Sequence, residues 1–230
     1  MPILLFVGCM TNEEKANALI QDTFTQHQDY YTDYLPLATR LDTAYNVPIN
    51  NLAVLEMADD VFNYKLKELE LQKEINILRD KAYSTGKAYW DLSTEEVKEA
   101  RLQITRKRKE LKEVAIKRVE AIQQLGKAIA TLDNSKVVGW TILHTFRYKN
   151  KEGMTVVPTF VILADSSFST VIRVITDEAA AEYTKVFEQA QRKDENKKMK
   201  ADYQQELRQL AILEQDLLDG NDEALIKFLF

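Results

Sequence analysis

Apolar positions along this chain repeat with the period of a helix, then with that of a strand, then with that of a helix again. Thr11 followed by Glu14 has the spacing of a capping box, and Ala16, Leu19, Ile20 and Phe24 recur behind it at helical intervals. Pro36 interrupts the path. Tyr34 to Tyr45 reads as a second, short helix, ended by the turn residues Pro48 and Asn50-Asn51. From Leu52 the pattern becomes regular: Val54, Met57, Val61, Tyr64, Leu71, Ile75 and Leu78 fall at three- and four-residue steps, with Glu68 the polar interruption. Leu55, Ala58, Phe62 and Leu69 form a neighbouring stripe, so the apolar face is wider than a two-helix seam. This helix extends to about Tyr83, roughly 45 Å.

Ser84-Thr85-Gly86 breaks it, ahead of the aromatic pair Tyr89 and Trp90. Ser93 facing Glu96 then makes another capping box, with Leu92 and Val97 placed for a hydrophobic staple. An apolar face runs from Val97 through Ala100, Ile104, Leu111, Ala115, Ile122, Leu125 and Ile129 to Leu132, just before Asp133. Two long helices joined by a short connection pack most readily as an antiparallel hairpin, here over 52–133.

The period then drops to two. Trp140, Ile142, His144, Phe146 and Tyr148 alternate with Thr141, Leu143, Thr145 and Arg147, the turn Asn150 to Gly153 follows, and Thr155 to Ala164 is a second β-rich run. Pro158 places that strand at an edge or starts it after the proline. Ser166 to Ser169 turns into Val171 to Ile175, completing a three-stranded antiparallel meander over 137–176. Thr176-Asp177-Glu178 opens a last long helix with an N-cap and acids suited to its dipole. Ala179, Tyr183, Phe187 and Ala190 face the sheet, Gln191 to Asp202 loses the apolar face as a solvated helix or hinge, and Tyr203, Leu207, Leu210, Leu213 and Leu217 restore it before Gly220. The expected fold class is therefore α+β and predominantly helical: a long antiparallel hairpin, a small meander and a long C-terminal helix.

Composition narrows the chemistry. Charged residues make up 29% of the 230, with six glycines and four prolines, which favours long helices. The net charge of −5 gives no global attraction to nucleic acid. The basic run Arg106 to Lys109, with Lys112, Lys117 and Arg118, spreads around a helix and follows an acid-rich one, so pairing across the hairpin or simple solvation accounts for it. A lone cysteine excludes internal disulfides and cysteine-based zinc sites, and His27 and His144 lie far apart without ligand spacing. The chain has no Gly-x-Ser-x-Gly elbow and no glycine-rich phosphate loop, and adjacent acids such as Asp59-Asp60 and Glu95-Glu96 point apart on a helix. His144 reads as a hydrogen-bonded core histidine where the sheet meets the helices.

Cys9 carries the sharpest signal. The apolar run Ile3 to Val7, then Gly8-Cys9, then polar Thr11 to Glu14 has the form of a bacterial lipoprotein signal at its cleavage point. Met1-Pro2 supplies no basic residue, so the basic segment is expected upstream of Met1. No apolar stretch approaches the roughly 20 residues that span a bilayer, and membrane contact would be by an anchor.

Glu14-Lys15-Ala16-Asn17-Ala18-Leu19-Ile20, Tyr34-Leu35-Pro36-Leu37, Leu41-Asp42-Thr43-Ala44-Tyr45, Tyr83-Ser84-Thr85-Gly86, Gly139-Trp140 and His144-Thr145-Phe146-Arg147 occur in an order and spacing that resemble a group of uncharacterised Bacteroides lipoproteins, over residues 13 to about 190. The resemblance implies a secreted, lipid-anchored protein of a gut bacterium without an assigned activity. The missing basic n-region and the extension after residue 190 depart from that pattern.

The expected organisation is a lipoprotein-signal remnant or N-terminal strand over 1–10, one α+β domain over 11–190, and a charged helical extension with an apolar tail over 191–230. The expected function is that of a non-enzymatic interaction or structural module, anchored by lipid at Cys9 in the bacterial cell envelope. Trp140, His144, Phe146 and Arg147 on the sheet, and Phe228 and Phe230 in the tail, are its candidate contacts with a protein partner. The apolar tail and C-terminal helix also offer a route to a homo-oligomer. No cofactor, metal or nucleic acid is implied. The alternative is a soluble cytoplasmic ligand-binding module or enzyme with its site between sheet and helices.

Overall fold

Thr11 and Glu14 cap the first helix reciprocally: the Glu14 N–H donates to Thr11 Oγ1 at 3.2 Å and the Thr11 N–H to Glu14 Oε2 at 2.7 Å. The computed structural model in which this is seen describes residues 10–26, 30–84 and 95–220. Cys9, His27, Tyr89, Trp90, the Ser93 cap and the tail with Phe228 and Phe230 lie outside the described residues. The fold is α+β and mostly helical, in the order α1 (Asn12–Gln26), β1 (Thr32–Tyr45), α2 (Leu52–Ser84), α3 (Glu95–Ala130), β2 (Val137–Lys149), β3 (Thr155–Val156), β4 (Thr159–Ala164), β5 (Val171–Thr176), α4 (Asp177–Gln191) and α5 (Lys193–Leu218). Compactness draws a different line from the composition shift at residue 190. One unit comprises Met1–Leu55 with Ala128–Lys185, the other Glu56–Lys127 with Val186–Phe230.

The first unit carries a sheet of five strands rather than three, in the order β1-β2-β4-β5 with β3 also on β2. Tyr34 to Tyr45 is strand, not helix. Its pairing with β2 is antiparallel, from Thr32 opposite Lys149 to Tyr45 opposite Val137. A proline inside a helix removes a hydrogen bond and clashes with the preceding turn, whereas at a sheet edge both penalties disappear. Pro36 sits on such an edge, and the register shifts between Pro36 and Ala38. At Pro158 the second alternative holds: β4 begins at Thr159, while β3 keeps the same register on β2, Val156 opposite Tyr148 and Thr159 opposite Thr145.

Alternation along β2 buries Ile142, His144 and Phe146 and exposes Arg147 and Lys149. That buried face packs against Ala16, Ile20 and Phe24 of α1, together with Phe160, Ile162, Ala164 and Phe168. Val161, Leu163 and Ile175 are buried on the opposite face. There Thr141 Oγ1 donates to Asn50 Oδ1 at 3.3 Å, and Arg173 Nη2 donates to Tyr183 OH at 2.8 Å. Covered on both sides, β4 reads as the uninterrupted run Thr159-Phe160-Val161-Ile162-Leu163-Ala164.

In the second unit α2 and α3 run antiparallel, as the pairs Lys107–Glu74 at 2.8 Å and Arg118–Glu68 at 2.6 Å require. Helix α5 runs antiparallel to α3 in turn: Glu214 holds both Arg106 and Lys109, Glu206 holds Lys112, and Glu120 holds Lys200. The basic run is thus largely neutralised, partly across the hairpin and partly by α5. Val61, Leu71, Ile75, Ala115, Ile122, Leu125 and Leu210 are buried. Leu69 is not; it is 52% exposed. A straight helix drifts by about 20° per heptad against a seven-residue repeat, and the stripe through Leu55, Ala58 and Phe62 has turned outward two heptads on. The C-terminal helix divides at Arg192 (φ −83°, ψ 67°), beyond which the polar stretch to Asp202 is helical within α5. Gly220, at φ +73°, ends it as expected.

Candidate functional site

Helix α1 is 15 residues long and covers the sheet face only in part. Towards β5 it leaves a groove of about 610 Å³, with Phe24, Tyr31, Phe160, Val171 and Val174 on its apolar walls and Asp22, Gln26, Ser169 and Thr170 on its polar ones. Tyr31 stands edge-on to Phe24, Phe146 and Tyr148, with ring centroids 5.1, 5.6 and 5.1 Å away. Burial, with Tyr148 beside it, raises the Tyr31 phenol above its ordinary pKa, so it stays a neutral donor. Tyr30, 61% exposed, lies under the Lys151 ammonium at 5.3 Å.

The polar wall is set by Asp165. Its carboxylate accepts the N–H groups of Ser167, Ser169 and Thr170 at 3.2, 2.7 and 2.8 Å, and the hydroxyls of Ser167 and Ser169. The Ser167 hydroxyl and the Thr170 N–H lead in holding it far below the usual carboxylate range. This ring of donors fixes the loop that presents Ser169 and Thr170, and it turns Phe168 (φ +59°) inward onto Trp140, ring centroids 5.2 Å apart. Trp140 Nε1 completes the contact by donating to Ser166 O at 3.2 Å.

His144 is 1% exposed and stacks on Phe146, centroids 5.3 Å apart at 16°. Tyr34 OH is 2.7 Å from Nε2 and Thr39 Oγ1 3.0 Å from Nδ1. Each partner is a hydroxyl that can donate or accept, which suits one donor and one acceptor on a neutral imidazole. This is the hydrogen-bonded core histidine expected from the sequence, with Thr39 directly opposite it in the β1–β2 register. Burial holds the imidazole below its ordinary 6.5. The unfolded chain therefore takes up this proton first as pH falls. The stability that neutral His144 contributes is complete above pH 6.5 and drains away below it towards the folded pKa, at up to about 1.4 kcal/mol per pH unit. Denaturant midpoints of the wild type should fall from about pH 7 to pH 5 more steeply than those of His144→Gln; equal slopes would refute this.

The residues singled out on the sheet do not form one surface. His144 and Phe146 are enclosed beneath α1, Trp140 is half-buried against the Asp165 loop, and Arg147 is exposed on the opposite side of β2 from Phe146. Cys9, Phe228 and Phe230 fall outside the described residues. Sequence reasoning missed Asp22, Tyr30, Tyr31, Asp165 and Val174; the aromatic density from Phe24 to Tyr34 was the available signal. Among the described residues no group of three His, Cys, Asp or Glu side chains could hold a metal ion, and no helix is long and apolar enough to cross a membrane. No family model, curated protein or solved structure matches the chain.

Proposed function

We propose that this chain is a non-enzymatic interaction module of the bacterial cell envelope, anchored by lipid at Cys9, that receives an extended apolar segment of a partner protein in the groove beside β5. The observation that carries this reading is the contrast between the two sheet edges. β1 is blunted by Pro36, three register shifts and the Arg40–Asp42 pair at 2.9 Å. β5 is a six-residue edge strand, Val171–Thr176, whose one charged side chain, Arg173, is directed to Tyr183. An unblunted edge next to aromatic and aliphatic pockets suits strand addition, with backbone bonds giving affinity and alternate side chains entering the groove. The anchor is supported by the sequence around Cys9 and by the resemblance to Bacteroides lipoproteins. A single residue, Met10, separates Cys9 from the cap at Thr11, so an acyl chain there tethers the start of α1, while the groove lies along the later half of the helix, from Leu19 to Gln26.

Peptides selected from a displayed random library on the immobilised protein are expected to alternate apolar residues. They should bind Val174→Lys roughly tenfold or more weakly, with its circular dichroism unchanged. Failure to enrich any peptide, or equal binding by Val174→Lys, overturns the groove. Radiolabelled palmitate should enter the protein in a bacterial host and be lost in Cys9→Ser; an unlabelled wild type overturns the anchor independently.

A further inference from the structure

The amide of Asn196 is 1% exposed and only half used. Nδ2 donates to Gln189 O at 2.8 Å, which bridges the break between α4 and α5 and fixes which way the amide points. Oδ1 is buried and accepts no hydrogen bond. A buried acceptor left without a donor is costly, and such groups are rare enough in folded proteins to require a reason.

Asn196 lines a pocket of about 500 Å³ in the second unit, open to solvent on one side and within the usual size range of small-ligand sites. The cavity opens beside Gly126, where α3 approaches the Ala190 carbonyl so closely that a Cβ would stand 2.3 Å from its oxygen. Four lysines line it, Lys127, Lys193, Lys197 and Lys200, with Gln123 and Gln204 and no carboxylate. Of these four, the ion pairs among the described residues engage Lys200, with Glu120 Oε1 at 2.7 Å. The acids that share the first turn of α5, Asp194 and Glu195, are not part of the lining.

The two halves of the site ask for different things. The ammonium groups attract an anion, and a dianion most strongly. Asn196 Oδ1 needs a donor, which a fully ionised phosphate lacks and a neighbouring hydroxyl supplies. We infer that this cavity binds a phosphate monoester of a small polyol, such as a sugar phosphate. The lysines hold the phosphate, and a hydroxyl of the same molecule donates to Asn196 Oδ1. Because Asn196 is 1% exposed, the side chains over its amide must move aside for a ligand hydroxyl to reach Oδ1.

Calorimetric titration of the full chain at moderate salt tests both halves without altering Asn196. The probes are glycerol 3-phosphate, ribose 5-phosphate and glucose 6-phosphate, with methyl phosphate carrying the same monoester and no hydroxyl. At least one polyol phosphate is expected to bind about tenfold or more tightly than methyl phosphate, and to lose about tenfold in a Lys193→Ala/Lys197→Ala variant. If none of the three binds more tightly than methyl phosphate, the lysines act as charge alone and the inference fails. It fails equally if the double variant binds as the wild type does.

Discussion

Phe146→Ala is expected to remove about 3–5 kcal/mol from the stability of the protein, against a usual total of roughly 5–15 kcal/mol. Phe146 is fully buried and stands at the centre of the aromatic cluster. Its ring centroid lies 4.6 Å from that of Phe24, 5.0 Å from Phe160 and 5.3 Å from both Tyr34 and His144. Burying the side chain contributes about 1.5–3 kcal/mol, and favourable ring pairs add about 0.5–1.5 kcal/mol beyond area. The cavity left by alanine adds to the loss unless its walls collapse. Collapse is restricted here, because β2 is held between β1 and β4 by ladders on both sides and α1 is fixed by its cap. Denaturant unfolding followed by far-ultraviolet circular dichroism should show the full loss for Phe146→Ala and a much smaller one for Phe146→Leu. A loss under about 1 kcal/mol would mean that the surrounding rings repack freely, contrary to this description.

The elements that sequence alone made legible are those whose periodicity and boundary residues agree. The α1 cap, the antiparallel pairing of α2 with α3, the alternation from Trp140 to Tyr148, the Asn150–Gly153 turn and the Thr176 cap, which accepts the Ala179 N–H at 3.1 Å, all rest on contacts within a few residues or on a sustained apolar stripe. β1 failed because its local pattern is uninformative. Leu35 and Leu37 are exposed, and its conformation is set by a partner strand about a hundred residues away. The groove failed for a related reason: its walls come from α1, β4, β5 and the Asp165 loop, which only the sheet order brings together. Period two, by contrast, already places Arg147 on the other face of β2 from His144 and Phe146. Asn196 had no local signal at all. It sits in the stretch read as a solvated helix or a hinge, yet it is buried in the same pocket lining as Gly126 of α3, whose missing side chain permits close approach to Ala190.

That glycine makes a prediction whose sign is decided by magnitude. A glycine inside a helix is ordinarily less favourable than alanine by roughly 0.5–1 kcal/mol, so Gly126→Ala on an open helix face would stabilise α3. Here the new Cβ would lie 2.3 Å from Ala190 O and 3.1 Å from its carbonyl carbon. Both are backbone atoms, so no rotamer change relieves the clash; α3 and the end of α4 must separate by the better part of an ångström. Overpacking of this kind typically costs about 1–3 kcal/mol, and the displaced segment includes the Gln189 carbonyl that receives the Asn196 amide. The clash outweighs the gain in propensity. Gly126→Ala is therefore expected to be destabilised by about 1–2 kcal/mol in denaturant unfolding, and Gly126→Val by more, since it adds bulk and a β-branch to the same contact. A Gly126→Ala protein more stable than the wild type would show that α3 does not approach Ala190 this closely in solution, and that the helix gains from losing its glycine.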